Sequence, residues 1–404
     1  MNVNLEFTYN IDMDNCKLDT IVSNFNEIKN NFLNMYSQTV LTMFAEDYMR
    51  HEEKPFCCEK CKNNKHFIWK TKHGKETKIT TIHQPVFLNQ LQVQCKCCGH
   101  KFFITRSLLG LEKRSRILPD TIKKLGLIGA LTTFRVAEKI TKLFGIKLDK
   151  MTIWRSVQKT ANDIEFNIDP EEGDTGEADG TGIPVVGIKK RGQEMKVFVQ
   201  QKKTGGIRIA GLSIGKYDKD WDKLFKPLIQ DLKKFKKFLL ITDGDVSIFK
   251  SIKDIVQIKF QRCLWHIPHQ LKYVLWKDKV SRKSDKWLYV LGEILNICTI
   301  KSIQDEDRED VIEKVITSKE KQLDALVEYC KGEGWKNCAV YIQNAKPDMF
   351  TGIRNRLHGK TTSHAERVMK TINYRINVGK WSPKGALNVN KIRLAYYYNG
   401  FDVE

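Results

Sequence analysis

The spacing of apolar and polar residues predicts a helical stretch followed by a region of alternating strands and helices. In residues 118–164, apolar residues recur at the helical period in LPDTIKKLGLIGAL, RVAEKITKLFG and DKMTIWRSVQKTANDI. From about residue 175 the pattern changes to short apolar strands separated by amphipathic helices. The pattern therefore predicts a multidomain α/β protein with a helical domain before the sheet.

The elements of the second region follow one another in an informative order. The predicted strands are EADGTGIPVVGI, EMKVFVQQKK, RIAGLSIGK, KFLLITDGD and QIKFQRCLWH, and the predicted helices are WDKLFKPLIQDLKKF and VSIFKSIKDIV. Three strands, a helix, a strand, a helix and a strand is the order of an RNase H-like fold. In that fold the first and fourth strands are neighbours at the centre of a mixed sheet, which is what we expect here.

Two of these strands carry aspartates that such a fold would bring together. Asp179 lies in the first strand, and Asp243 ends the fourth. Neighbouring carboxylates repel each other unless a divalent cation holds them, and Mg²⁺ prefers oxygen ligands. Each aspartate also precedes a glycine, so either one alone could simply form a turn. Together, at the ends of paired strands, they predict a magnesium site.

A third acid stands out in the basic C-terminal region. Glu366 is the only acidic residue between Asp348 and Asp402, in the segment TTSHAERVMKTINYRI, whose apolar spacing predicts a helix. It lies in the first turn of that helix and could complete the metal site. The alternative is a capping box, Ser363-x-x-Glu366, in which Glu366 only accepts a backbone hydrogen bond. A catalytic glutamate must follow the fifth strand, and Glu366 does.

About 90 residues separate the fifth strand from this helix. Their apolar spacing predicts a helical insertion over residues 276–360. Within it, residues 301–334 hold 10 acidic and 6 basic side chains. This charge balance favours packing or self-association over contact with DNA.

Six of the 11 cysteines fall into two clusters, and each cluster contains a C-x-x-C. Cys58 pairs with Cys61 and Cys95 with Cys98, with 33 residues between the two pairs. Four thiolates in this spacing predict a zinc-ribbon-like domain over residues 54–110, with a β-hairpin centred on Gly74. Disulfides are the alternative, and a reducing cytosol disfavours them. The remaining ligand candidates are Cys57, Cys97, His66 and His100.

Residues 111–168 predict a helix-turn-helix. A middle helix would end at Gly145, and Asp149 would cap the next helix. The second helix would then be the recognition helix. Its residues nearest to DNA would be Lys150, Thr152, Arg155 and Gln158. An ordinary helical hairpin is the alternative.

Charge points to a polyanionic partner. The chain holds 69 Lys plus Arg against 48 Asp plus Glu, a net charge of +21. Residues 54–168 carry +15 and residues 351–404 carry +7, whereas the N-terminal segment 1–53 carries −6. Nucleic acid is the simplest partner for a chain with this excess of positive charge. The alternative is a soluble protein that is basic without binding a polyanion. No apolar run spans a membrane and no signal peptide precedes the chain, so we expect a cytoplasmic, nucleoid-associated protein.

In these residues the sequence resembles the DDE transposases of bacterial insertion sequences, within the mutator-like superfamily. The likeness covers roughly residues 170–400 and rests on the order of short motifs. These are ADGT at Asp179, TDGD at Asp243, Cys263-Leu264-Trp265-His266, and Glu366 followed by Arg375 and Trp381-Ser382-Pro383-Lys384-Gly385. The resemblance implies that Asp179, Asp243 and Glu366 are catalytic metal ligands. It also implies that Cys263 and His266 support the site or contact DNA.

The resemblance completes the predicted organisation. Residues 169–275 and 361–404 would form the RNase H-like catalytic domain, interrupted by the helical insertion. The protein would bind the terminal inverted repeats of its element as a homodimer or larger assembly. With Mg²⁺ or Mn²⁺, and Zn²⁺ in the ribbon, it would cleave and join double-stranded DNA during transposition, a DNA recombination reaction. A nuclease without strand transfer and a catalytically silent DNA-binding regulator are the alternatives.

Overall fold

The computed structural model describes residues 18–112, 114–188, 192–217, 219–299, 309–357 and 364–403. The chain is mixed α/β, about half helical, and divides into two compact units. The first unit runs up to Thr160, and the second comprises Ala161–Asp402. Residues 161–168, which the sequence analysis grouped with the helix-turn-helix, therefore belong to the second unit.

The first unit combines a long helix, a set of short strands and a group of helices. Its elements are α1 (Leu18–Arg50), β1 (Phe67–Thr71), β2 (Glu76–Thr80), β3 (Pro85–Asn89), β4 (Gln92–Cys95), β5 (Lys101–Phe103), α2 (Thr105–Leu108), α3 (Pro119–Leu131), α4 (Phe134–Leu143) and α5 (Lys150–Thr160). The strands form two sheets, with the orders β1–β4–β5 and β2–β3.

The predicted hairpin centred on Gly74 is wrong. Strand β1 pairs with β4 and β2 pairs with β3, both antiparallel, and the chain reverses at residues 81–84, where Thr81 N donates to Gln84 O (3.3 Å). Gly74 instead lies against the returning strand, and its N–H donates to Gln90 O (3.1 Å). A Cβ at Gly74 would lie 2.5 Å from that oxygen. The glycine is thus required by close strand approach rather than by a turn.

Helix α1 occupies much of the acidic N-terminal segment, to which the sequence analysis assigned no secondary structure. Its Leu41 and Ala45 are buried in the core of the cysteine-containing sheet. Two α1 side chains also accept hydrogen bonds from β3: Asn34 Oδ1 from Phe87 N (3.0 Å) and Gln38 Oε1 from Asn89 N (2.6 Å). The helix therefore covers the edge of the β2–β3 sheet.

Helices α3, α4 and α5 pack around a small apolar core that includes Leu125, Ala137 and Ile153. Gly145 has a φ of 78° just after α4, and Asp149 Oδ1 accepts a hydrogen bond from Thr152 N (2.6 Å). These contacts confirm the predicted helix end and the predicted cap. Two helices joined by a short glycine-containing turn are therefore present.

The second unit contains a five-stranded sheet with the order β10–β9–β6–β7–β8. Its elements up to the last strand are β6 (Thr175–Ile183), β7 (Gln193–Gln201), β8 (Ile207–Lys216), α6 (Asp222–Phe225), α7 (Ile229–Leu232), β9 (Phe238–Thr242), α8 (Val246–Ile252) and β10 (Ile258–Arg262). Strands β6, β9 and β10 run parallel, and β7 and β8 are antiparallel to their neighbours. The first and fourth strands of the sheet are thus adjacent, as predicted.

The helix predicted between β8 and β9 is present, but it is not regular. Helices α6 and α7 are each one turn long, and a 3₁₀ turn, Lys226–Leu228, separates them. Pro227 lies inside that turn, where it lacks an N–H and its ring clashes with a regular helix.

The rest of the second unit is helical. Its elements are α9 (His266–Lys277), α10 (Asp285–Cys298), α11 (Glu309–Gly332), α12 (Lys336–Ala345), α13 (Thr351–Arg354), α14 (His364–Ile376) and α15 (Pro383–Tyr398). Helices α9–α12 share an apolar core of their own, whereas α14 packs on β6 and α15 on β8. Within the described ranges, no helix is long and apolar enough to cross a membrane.

Candidate functional site

Three side chains from distant parts of the chain converge beside the central strand β6. Asp179 lies on β6, His266 is the first residue of α9, and Glu366 lies in the first turn of α14. One ligand atom from each lies within 4.8 Å of the others. Two carboxylate oxygens and an imidazole nitrogen form a donor set that could hold a divalent cation.

Asp243 lies beside this group on the neighbouring strand. Strands β6 and β9 pair in parallel with Glu177 opposite Ile241, so continuing the register by two residues places Asp179 opposite Asp243. Asp243 directly follows β9, and its Oδ1 accepts a hydrogen bond from Asp245 N (2.9 Å). The aspartate thus also forms the turn that the sequence analysis gave as its alternative role. It stands outside the group of three whose ligand atoms lie within 4.8 Å.

Burial, and in part mutual repulsion, disfavours the ionised carboxylates of the site. Burial raises the pKa of Asp179 to about 8, and the nearby Asp243, Glu366 and Glu194 add to this rise. Burial also raises the pKa of Asp243, against the hydrogen bond from Asp245 N and the attraction of His266. Because each charge disfavours its neighbours, a cation at the centre would stabilise their ionised forms.

His266 has the features of a ligand. Burial lowers its pKa, which favours the neutral imidazole that binds metals. Its Nδ1 is buried, and no atom of the described residues makes a hydrogen bond to it. A buried polar atom without a partner is costly in a folded protein, and a cation bound to Nδ1 would remove that cost. The sequence analysis gave His266 a supporting role, and the structure places it in the group itself.

Glu177 is a buried residue of the site that the sequence analysis missed. Its Oε2 accepts a hydrogen bond from Ala365 N (2.9 Å), and its Oε1 accepts one from Gln201 Nε2 (2.8 Å). The first contact links β6 to the first turn of α14, which carries Glu366. Alternation along the strand was the available signal, because Glu177 and Asp179 are two residues apart and share one face. Ser363, the other half of the alternative capping box, lies outside the described residues.

The two other supporting candidates are packed into the protein. Cys263 is buried with Leu239 and Ile241, and burial raises the pKa of its thiol to about 11, so it stays neutral. Arg375 lies on α14 with its guanidinium 4.6 Å from the ring centre of Trp381. Burial lowers the pKa of Arg375 to about 10, so it remains charged at neutral pH. Both residues can stabilise the surroundings of the site.

The first unit brings four cysteines into a second cluster. Cys58, Cys61, Cys95 and Cys98 each place a sulfur within 4.8 Å of the others. Cys58 Sγ lies 3.5 Å from Cys98 Sγ, and Cys61 Sγ lies 3.6 Å from Cys95 Sγ. The two knuckles have matching turns, in which Lys62 N donates to Cys58 O (2.9 Å) and Gly99 N to Cys95 O (3.0 Å). This cluster could bind zinc.

The thiols of the cluster are free, and two of them, Cys58 and Cys95, have a lowered pKa. Burial opposes ionisation of Cys95, but backbone N–H groups of Cys98 and Cys97 favour its thiolate and bring the pKa down to about 7. All cysteines of the two motifs are unbridged in this structure. Cys57 and Cys97 are exposed and lie outside the group of four, as do His66 and His100.

The four candidate DNA-contacting residues lie on α5. Lys150 and Arg155 are exposed, whereas Thr152 and Gln158 are half-buried. The opposite face of the helix carries Ile153 and Val157, which are fully buried. The chain therefore presents a basic face on α5 while it packs the apolar one.

Comparisons with family models and with curated proteins identify no relative of this chain. No family model matches the chain, and no curated protein gives a significant match.

Proposed function

We propose that the protein is a DNA transposase that binds the ends of an insertion sequence and catalyses metal-dependent strand cleavage and strand transfer. One observation carries this proposal: Asp179, His266 and Glu366 converge within 4.8 Å beside the strand pair that also ends in Asp243. Acidic clusters of this kind hold the cations that promote displacement at phosphorus. The basic character of the chain supports a nucleic acid as the substrate.

The strand order supports an RNase H-like catalytic core. Counted along the chain, the five strands lie in the order 5–4–1–2–3, with strands 1, 4 and 5 parallel and strands 2 and 3 antiparallel to their neighbours. Helices α9–α13 follow the fifth strand, and α14 then returns to β6. In this arrangement the helical insertion lies between the fifth strand and the helix of the third acid.

Asp179, Glu366 and His266 would hold the cation, with Asp243 beside them. The unpartnered Nδ1 of His266 and the raised pKa of Asp179 fit such an occupant. A bound Mg²⁺ or Mn²⁺ activates the attacking oxygen and stabilises the leaving oxygen in a phosphodiester displacement. Asp179 would release its proton when it becomes a ligand. Glu177 would keep Glu366 in place through its hydrogen bond from the backbone of α14.

The first unit would supply DNA recognition. The four cysteines would bind a structural zinc, and α4 and α5 would act as a helix-turn-helix with α5 as recognition helix. Residues 54–168 carry a net charge of +15, which supports attraction to phosphate. A transposase must hold two element ends, so we propose that the active species is a dimer or larger assembly.

Replacement of Arg155 on α5 tests this recognition surface. We expect Arg155→Ala to weaken binding to the element end by about 1–3 kcal/mol, because a base-edge contact of an arginine has this magnitude. Titration of labelled duplexes by gel shift measures the effect. Lys124→Ala is the matched control, because Lys124 lies on α3 and pairs with Asp120 (3.2 Å). An equal loss on random duplex would mark Arg155 as a phosphate contact, and no loss on either duplex would exclude α5 as the recognition helix.

A strand-transfer assay tests the function itself. The substrate is a duplex that carries inverted repeats from the DNA flanking the gene, labelled at the 5′ end of the strand whose 3′-hydroxyl the cut would free. In Mg²⁺ we expect the labelled strand to be cut at the element end and joined to a second, unlabelled duplex. Cleavage without joining would identify a nuclease instead, and binding without cleavage would identify a regulator. Absence of inverted repeats around the gene would also argue against a transposase.

A further inference from the structure

The exposed face of α9 combines aromatic and basic side chains. Trp265, His269, Lys272 and Trp276 are spaced four, three and four residues apart, so they lie on one side of the helix. Trp276 is 75% exposed and Tyr273, beside this row, is 67% exposed. The opposite side of α9, with Leu271 and Leu275, is fully buried. The aromatic face is thus presented to solvent by a helix that is firmly anchored.

This face begins at the candidate metal centre. Trp265 directly precedes His266, and the two rings meet edge to face with their centres 4.9 Å apart. The Trp265 ring also stacks on His269, with ring centres 4.7 Å apart and ring planes at 22° to each other. A nucleotide whose phosphate lay at the centre would therefore have its neighbouring base next to an aromatic surface.

A cleft lies beside the start of the face. It has a volume of about 280 Å³ and lies between α9 and the end of α10. Trp265, His269 and Lys272 line it on one side, and Leu295 and Cys298 on the other. A lining of apolar and aromatic residues together with one lysine suits a nucleobase that carries a phosphate.

Charge decides between nucleic acid and protein as the occupant. The exposed residues of α9 include Lys272 and Lys277, and the helix contains no acidic residue. Helix α11, by contrast, carries six acidic side chains and so offers no similar surface to a polyanion. Aromatic rings interleaved with lysines next to a phosphodiester site match the surfaces that bind single-stranded nucleic acid.

We propose that the exposed face of α9 is a stacking platform that binds unpaired nucleotides of a DNA strand beside the candidate metal centre. Its role in catalysis rests on the proposed function, because the platform would hold bases that leave the duplex next to the cut. Binding itself does not depend on that function. Binding can be measured without magnesium and therefore without cleavage.

The test uses the full chain and a dye-labelled oligothymidylate of about ten nucleotides, a length within the usual site size of such surfaces. Fluorescence anisotropy is recorded in magnesium-free buffer without chelator. We expect Trp276→Ala to weaken binding by about fivefold or more, because base–aromatic stacking is lost. Trp276→Phe keeps an aromatic ring and should restore most of the affinity. The matched control is Phe44→Ala, which removes another exposed aromatic ring, on α1.

The remaining outcomes are equally informative. Binding to a fully paired duplex of the same charge should be unchanged in Trp276→Ala, which separates stacking from general attraction. The proposed stacking platform would be contradicted if Trp276→Ala lost as much affinity for duplex as for single strand. An equal loss of affinity in Phe44→Ala would contradict it as well. Unchanged oligothymidylate binding together with loss of self-association in sedimentation would assign the face to a second copy of the chain. Failure of strand transfer in the separate assay would leave this binding result standing, so the two proposals fail independently.

Discussion

Asp179→Asn, Asp243→Asn and Glu366→Gln are each expected to reduce DNA strand cleavage by about 10³-fold or more, while DNA binding is retained. Each substitution keeps the size of the side chain but removes the charge that would hold the cation. The losses should not add in double variants, because ligands of one site act as a unit. Cleavage of labelled duplex in Mg²⁺ measures the first effect, and gel shift measures the second.

Glu366→Gln is the most decisive of these variants. A glutamate that only caps a helix tolerates glutamine, because the capping box accepts either residue. Cleavage at near wild-type rate by Glu366→Gln would therefore place the third acid elsewhere. Asp254→Asn is the matched control, because Asp254 is exposed and precedes β10, at the opposite end of that strand from His266. It should cleave like the wild type.

Cys58→Ser and Cys95→Ser are expected to abolish zinc binding and to unfold the cysteine-containing part of the first unit. Both residues are fully buried and each supplies one of the four sulfurs. Zinc binding in small thiolate sites contributes about 10–16 kcal/mol of apparent folding free energy, so one lost ligand suffices to destabilise the fold. We expect about one zinc per chain in the wild type and almost none in the variants, by elemental analysis. DNA binding should weaken in parallel.

The exposed neighbours of the cluster provide the controls. Cys57→Ser and Cys97→Ser change thiols that lie in the same two motifs but outside the group of four. Both variants should keep their zinc and their DNA binding. The proposed ligand set would be contradicted if purified wild-type protein contained no zinc. It would also be contradicted if Cys97→Ser lost as much zinc as Cys95→Ser. Exhaustive chelation of the wild type should reproduce the unfolding of Cys58→Ser.

Local patterns were enough to predict the elements that depend on neighbouring residues. Strand β9 follows from a short apolar run, and the end of α4 at Gly145 follows from a glycine at a position that needs a positive φ. The four cysteines could be grouped from spacing alone, because each C-x-x-C forms its own turn. Pairing of β6 with β9 was predicted from the order of elements, since few topologies connect those elements without crossing.

Contacts between distant residues were beyond such patterns. The turn at residues 81–84 could not be distinguished from one at Gly74, because a glycine serves close strand approach as well as it serves a turn. Likewise, no local sequence pattern indicates that α1 covers β3, because the apolar spacing of a helix does not show which element it packs against. Pro227 is a local signal for the 3₁₀ turn between α6 and α7, which the amphipathic pattern alone did not predict.

By itself, the sequence determined which residue types were available for chemistry: the three acids, the two cysteine pairs and the basic surface of the chain. Only the tertiary structure decided which of them meet. His266 lies 87 residues after Asp179 and 100 before Glu366, and Glu177 contacts a backbone N–H 188 residues away. Such contacts form because the parallel pairing of β6 with β9 and the packing of α14 on β6 bring distant segments of the chain together beside the central strand. The three side chains converge because whole helices and strands are buried against one another. The free energy of that burial is spread over many residues, so no single residue in the sequence indicates which side chains will meet.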